Sequence, residues 1–434
     1  MKKAHLTLAL ALTSALLASC GGGGSAASTE ISADASEDTP SDTENDLRSD
    51  LQAPESPSVA NDDGRHSPSS GNVTEAAQPF AAVEPAAPAT RYLYVSTAGA
   101  DDNPGTKQAP LRTIKRAASL ATPGTTVYVA PGTYPGGFVT TASGTAQERI
   151  RYVSSTRWGA RIVPPKESRN NIAWRNRGDY VDIVAFEIDG QPSQAGTKWR
   201  TGISAVGSYN LVQNNHVHHI AQSDSDCTSN GGSGINSNNY YHGYHNAIVG
   251  NFVHHIGPEN CKFISGIYMS TSGQVQNNVV YRNGNWGIQT WHDAADINIS
   301  NNTVAYNGKG ILVGGGGYYH LKGPADRIIV ANNIVSRNSR HGIAEMGKVG
   351  DNNTYVQNLS YGNGIDWMLK KGHVHTGDIN AEPLLVDAAR GDFRLSSGSP
   401  AIDRALSIHA PQKDVLGVLR PQAGAPDLGA YEYR

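Results

Sequence analysis

The chain has 434 residues, a formal net charge of −3, 48 glycines, 19 tyrosines and three cysteines. That composition favours a turn-rich β protein over a helical bundle. The charge is unevenly spread. Residues 21–90 hold 13 acidic residues against Arg48 and Arg65, whereas residues 91–434 hold 31 Lys and Arg against 25 Asp and Glu; the modest basic excess suits an acidic polymer and, with no reading motif, argues against nucleic acid.

In chain order, residues 1–20 read as an export signal. Lys2 and Lys3 precede an apolar run over about residues 4–18, too short to span a bilayer. The closing "LASC" resembles a bacterial lipobox, which implies cleavage before Cys20 and a lipid anchor on it. Gly21 after the cysteine, in place of Asp, implies sorting to the outer membrane of a Gram-negative cell envelope. Residues 21–90 are rich in Gly, Ser, Ala, Pro, Asp and Glu and lack apolar periodicity. Such a segment buries too little surface to offset its ordering entropy, so a disordered acidic tether is expected.

Residues 91–434 are expected to form one domain. "RYLYVS" reads as a strand and "GADDNPGT" as a turn. "LRTIKRAASLA", residues 111–121, reads as an amphipathic helix stopped by Pro123 and Gly124, and "TTVYVAPGTY" starts the first coil. This N-terminal cover spans about residues 91–130. Gly-Ile then recurs at Gly202, Gly234, Gly266, Gly287, Gly310, Gly342 and Gly364. Alongside it runs an Asn series whose members are Asn215, Asn251, Asn278, Asn302, Asn333 and Asn358. A step of roughly 22–25 residues, with some coils longer, means a solenoid. Short β-branched segments with no helical period between them select a parallel β-helix, an all-β fold. Ile is expected to stack inside, Asn to stack at the corners and accept left-handed backbone there, and Gly to make the corner entering the next strand. The segment "GSPAIDRA…RPQAGAPDLGAYEY" is expected to cover the other end, over about residues 380–434.

The stretch "YVSTAGADDNPGTKQAPLRTIKRAASLATPGTTVYVAPGTY" resembles the opening of right-handed parallel β-helix proteins of the pectate lyase-like superfamily. The C-terminal segment resembles the element called choice-of-anchor Q. With the repeats, the resemblance covers roughly residues 91–434 and is specific for fold. It is much less specific for activity, because the superfamily holds polysaccharide lyases, glycoside hydrolases, epimerases and non-enzymatic adhesins. The clustered calcium aspartates and the catalytic Lys or Arg of pectate lyases have no match in this sequence.

Candidate site residues are those that depart from the repeat. If each Ile points inward, the next residue points out, giving the column Ser204, Asn236, Tyr268, Gln289, Leu312, Ala344 and Asp366. The column two residues later runs Val206, Asn238, Ser270, Trp291, Gly314, Met346 and Met368. In "WGIQTWHDA", Trp286 and Trp291 offer faces for a sugar ring, His292 titrates near neutrality, and Asp293 orients the imidazole, ligates a cation or caps a turn. Tyr268 is a candidate acid or base, Lys309 and Gln289 candidates to neutralise a carboxylate, and Asn236 a further substrate contact. Glu345 falls at an inward position, so it needs either a bend in the strand or a specific partner. "GGGGYYH", residues 314–320, is an insert whose Tyr318 can fold over a ligand. "HVHH" and "FVHH" repeat one coil apart, which favours stacking over a metal site. Cys227 and Cys261, 34 apart on stacked loops in an oxidising compartment, are expected to be bridged. Asp224 and Asp226 are weak candidates for Ca²⁺.

Together these features lead to the expectation of a surface-anchored, monomeric lyase that cleaves an acidic polysaccharide by β-elimination, with Ca²⁺ as an optional cofactor. A glycoside hydrolase using Asp293 and Glu345, an epimerase, and a non-catalytic glycan-binding scaffold are the alternatives.

Overall fold

The computed structural model describes residues 89–166, 170–191, 198–222, 227, 231–259, 261, 263–370 and 372–434; the export segment with Cys20, and all but the last two residues of the expected tether, lie outside them. From Arg91 the chain winds into coils that build three parallel sheets. The first has 11 strands, from Arg91–Val95 to His375–Thr376. The second has nine, from Phe138–Thr140 to Ile365–Met368. The third also has nine, from Gly132–Pro135 to Leu359–Tyr361. Strands of successive coils pair in parallel, so the fold is an all-β parallel β-helix.

The Gly-Ile steps stack. In the second sheet Ile203, Ile235, Ile267, Ile288, Ile311 and Ile343 form one continuous register, each with no exposed surface. Glycine precedes them because there is no room for anything larger. A Cβ at Gly310 would lie 2.2 Å from the carbonyl oxygen of Gly342, and one at Gly287 2.5 Å from Val304 Cγ1. The corner glycines therefore face the interior, and outward side chains come from the residue before Gly and the residue after Ile.

The last Gly-Ile pair breaks this rule. Trp367, not Ile365, stacks on Ile343, and Met368, not the expected Asp366, continues the outward column. Ile365 is left half-exposed. Trp367 lies flat against His375, with ring centroids 4.0 Å apart, at the last strand of the second sheet.

Asparagine does half of what the sequence pattern suggests. The residue at each corner with positive φ is the one before the ladder Asn: Asn214, Gly250, Asn277, Asn301, Asn332 and Gln357. The ladder residues themselves hydrogen-bond coil to coil. Asn251 Nδ2 donates to Asn278 Oδ1 at 3.0 Å, Asn278 to Asn302 at 3.0 Å, Asn302 to Asn333 at 3.0 Å and Asn333 to Asn358 at 2.9 Å. Each also reaches a backbone carbonyl, as Asn302 reaches Val275 O at 2.8 Å. A second ladder joins Asn283, Asn307, Asn338 and Asn363.

The N-terminal cover carries a helix at Ile114–Leu120, shorter than residues 111–121. Thr113 caps it by accepting from Arg116 N at 3.0 Å, and Leu111 is drawn off into a bridge with Val95. The C-terminal segment covers a flank of the solenoid. Phe393, Val415, Ala430 and Tyr431 pack on Val279 and Ala305 of the third sheet, and Leu395, Ala401 and Leu428 pack on Ile334 and Leu359. A fully buried ion pair, Arg420 with Glu432 at 2.9 Å, fixes that segment, and Arg420 also donates to the carbonyls of Asp427 and Gly429.

Candidate functional site

The outward face of the second sheet gathers the departures from the repeat. Two columns line it. The residue before each Gly gives Thr201, Ser233, Ser265, Trp286 and Lys309 in paired register, and His341 holds the same place before Gly342 in the next coil. The residue after each Ile gives Ser204, Asn236, Tyr268, Gln289, Leu312 and Ala344. On the middle coils the columns turn from small polar groups to Trp, Lys, His, Tyr and Gln.

Lys309 lies among aromatic rings. Its Nζ is 5.0 Å from the Trp286 ring centroid, and the rings of Trp286 and His341 are 6.2 Å apart and 19° from parallel. A cation held this way keeps a favourable electrostatic environment away from bulk water. Beside it, Gln289 accepts from Ser265 Oγ at 2.7 Å. Tyr268 is the next aromatic along the column, and burial raises its phenol well above the usual tyrosine range. Asn236 sits one coil earlier, accepting from Asn238 Nδ2 at 2.6 Å. His341 and Ser265 escaped the sequence reading, which follows the columns after Ile and takes Lys309 and Trp286 singly. The residues one before each Gly carry the signal that finds them.

The corner after this strand is built to hold the insert. His292 takes φ 51°. Its Nδ1 bonds the carbonyl of Gly317, its ring stacks on Tyr319 at 4.1 Å, and Tyr268 meets it edge-on at 6.1 Å. A carbonyl accepts only, so Nδ1 carries the proton and Nε2 is the ring's acceptor. Asp293 is buried, and its oxygens accept from Tyr319 N at 3.0 Å, His320 N at 2.7 Å, Leu321 N at 3.0 Å and Asn239 Nδ2 at 2.8 Å. Those four donors use its lone pairs, so Asp293 anchors the insert and is no proton-transfer group. Tyr318 lies in the same insert, with Lys348 Nζ 5.7 Å from its ring centroid; burial raises its phenol too.

Trp291 does not offer its face to solvent. It is 6 % exposed and packs with Trp286, itself 3 % exposed, and with Leu312 and Ala344, so neither indole lies open to a sugar ring as the sequence suggests. A Cβ at Gly314 would lie 2.7 Å from its ring and one at Gly347 2.5 Å from it, so a glycine of the insert and one closing the next coil's strand make room for the indole.

Glu345 does point inward, and its partners are present. Tyr355 Oη donates to it at 2.5 Å, Lys370 N at 2.9 Å, and His373 Nδ1 lies 2.8 Å from both oxygens. The Glu345 bond raises the His373 pKa above its ordinary value. Asp293 and Glu345 thus serve separate hydrogen-bond networks, and both are buried rather than presented to a glycosidic oxygen as a hydrolase pair requires. Cys227 and Cys261 are bridged, with Cα atoms 4.7 Å apart. Asp224 and Asp226 lie outside the described residues. Among the described residues, His, Cys, Asp and Glu groups spaced to share an ion occur on the third sheet and not on this wall.

Comparison with known proteins places this geometry in context. A family model described as Pel9A-like, right handed beta helix region matches residues 93–377. A curated relative, the uncharacterized protein YwoF of Bacillus subtilis (strain 168), is 31% identical over 137 residues, which are 30% of this chain and 29% of that protein; the chain thus matches under a third of its length. Among solved structures, pectate lyase Pel9A superposes with a TM-score of 0.56 at 18% identity, covering 80% of this chain and 98% of that one. A rhamnogalacturonan lyase superposes with a TM-score of 0.51 at 15% identity, covering 78% and 96%. At those identities the likeness is one of fold.

Proposed function

The chain belongs to the Pel9A-like right-handed β-helix family, and from that premise we propose that it is a polysaccharide lyase, exported and tethered through Cys20 to the cell envelope, that cleaves a uronate-containing polymer by β-elimination. The single observation that carries the reading is the wall itself: a cation over one aromatic ring that a second ring stacks on, with an amide, a phenol and an oriented imidazole on the neighbouring coils. Two solved structures that share its fold are described as a pectate lyase and a rhamnogalacturonan lyase, which is the chemistry the wall suits.

In β-elimination the proton on C5 leaves, the C4–O4 bond breaks, a C4=C5 double bond forms, and O4 takes up a proton. The C5 proton is acidic only when the adjacent carboxylate's charge is offset. Lys309 supplies that charge and Gln289 a hydrogen bond, both in a site shielded from water where such interactions are strong. His292 is the base, because the Gly317 carbonyl fixes its proton on Nδ1 and turns Nε2 into the acceptor. Tyr268 is the acid, because burial keeps its phenol protonated and ready to donate to the departing O4. Asn236 and Tyr318 contact the polymer on either side, and Trp286, buried with Trp291, backs Lys309 from beneath. In this reading Lys309 takes the role that a calcium ion would otherwise fill.

Purified protein incubated with uronate-containing polysaccharides is expected to release products absorbing in the near ultraviolet. His292→Ala, Tyr268→Phe and Lys309→Ala are each expected to lower kcat by about 10²-fold or more, and a chelator to leave the rate unchanged. Reducing ends appearing without absorbance would make the protein a hydrolase. Binding without any chain shortening would make it a scaffold.

A further inference from the structure

The third sheet carries a group of side chains that the wall does not use. Glu187–Asp189 and His216–His218 are adjacent parallel strands, pairing Glu187 with His216 and Asp189 with His218. Ile188 and Val217 fill the core, so the four polar side chains point outward together. His218 Nε2 lies 3.1 Å from Glu187 Oε1, and His216 Nδ1 lies 4.0 Å from the same oxygen. The two rings are 4.4 Å apart. We infer that Glu187, His216 and His218 form a binding site for one divalent transition-metal ion of the zinc type, with a fourth position open to solvent.

The spacing suits the ion. Ligand atoms about 2.0–2.2 Å from a tetrahedral zinc stand roughly 3.3 Å from one another. The surrounding bonds suit it as well. His216 Nε2 is 2.7 Å from His254 Nε2, His254 Nδ1 is 2.6 Å from His255 Nδ1, and His218 Nδ1 is 2.7 Å from His219 Nδ1. If His216 ligates through Nδ1 and His218 through Nε2, each ligand donates its other N–H to a neighbouring imidazole. That second tier of hydrogen bonds orients ligating histidines and fixes their tautomers. Arg161 holds Asp189 and also lies 3.7 Å from Glu187 Oε2, which leaves Glu187 Oε1 as the carboxylate oxygen facing both rings. Burial lowers the pKa of His216 and of His218 to about 4, so both rings keep a lone pair at neutral pH. Glu187 and His216 remain 23% and 22% exposed, so an ion can reach them. A simple stack of histidines accounts for the ring contacts; it does not require a carboxylate oxygen aimed at a nitrogen of both rings.

The test uses the full chain without an added histidine tag, stripped of metal and titrated with Zn²⁺ by calorimetry and with Co²⁺ by visible absorbance. One Zn²⁺ per chain is expected, together with the intense visible band of four-coordinate Co²⁺. Glu187→Gln, which keeps shape and hydrogen bonding, is expected to weaken Zn²⁺ binding at least tenfold and abolish the Co²⁺ band, and His218→Ala to do the same. His219→Ala, which removes only the partner of His218 Nδ1, should keep one Zn²⁺ per chain and the Co²⁺ band, at weakened affinity. The inference is overturned if Glu187→Gln binds Zn²⁺ as the parent does, or if no four-coordinate Co²⁺ spectrum appears. Lyase activity with intact polysaccharide, measured separately on the same variants, is expected to stay at the parent level.

Discussion

Asp293 shows how much one buried carboxylate organises. Four donors from the insert and from Asn239 converge on it, and each would be left unpaired by its removal. Leaving buried donors unsatisfied costs about 1–3 kcal/mol apiece, tempered here because the insert can swing into water. Asp293→Ala is therefore expected to destabilise the fold by about 2–3 kcal/mol in urea titrations and to open residues 316–323 to protease nicking. An unchanged cleavage pattern would remove Asp293 as the anchor. None of this was legible in "WHDA", because backbone N–H groups from a segment 26–28 residues away leave no mark on composition or spacing. The same holds for Glu345. The pattern predicts that it faces inward and needs a partner, but Tyr355 and His373 reach it from other coils.

At the scale of the repeating coil, the sequence was far more transparent. Glycine at the corner and Ile after it mark register directly, since a Cβ there collides with the next coil. The pattern failed where the reason for it ended: at the last coil no further Gly-Ile step stacks above, so Trp367 takes the Ile place and the register slips by two residues. The Asn pairs were legible as corners, but not the division of labour between a left-handed first residue and a stacked second. That division yields a prediction. Asn302 donates to Asn333 and Val275 and accepts from Asn278, all in the core. Asn302→Ala should cost about 3 kcal/mol, whereas Asn301→Gly, which keeps positive φ but loses bonds to the Asp427 and Gly429 carbonyls, should cost about half as much, as read by chemical denaturation.

Across the whole molecule, stability should depend on pH through the last coils. The Glu345 hydrogen bond raises the His373 pKa above its unfolded value of about 6.5. Protonated His373 therefore contributes stability in full below about pH 6.5, and that contribution is lost as pH rises through the raised folded value. The melting temperature of the parent is expected to fall between pH 6 and pH 9, and His373→Gln to flatten that slope. A parallel decline in both proteins would assign the effect elsewhere.

The ladder of Asn side chains has a direction. Each amide donates toward the later coil, and after Asn358 the next acceptor is not another amide but the carboxylate of Asp378, 2.6 Å from Asn358 N. An ionised carboxylate has nothing to donate. The ladder that runs from coil to coil thus closes on a group that accepts from the rung before it and passes no side-chain hydrogen bond onward.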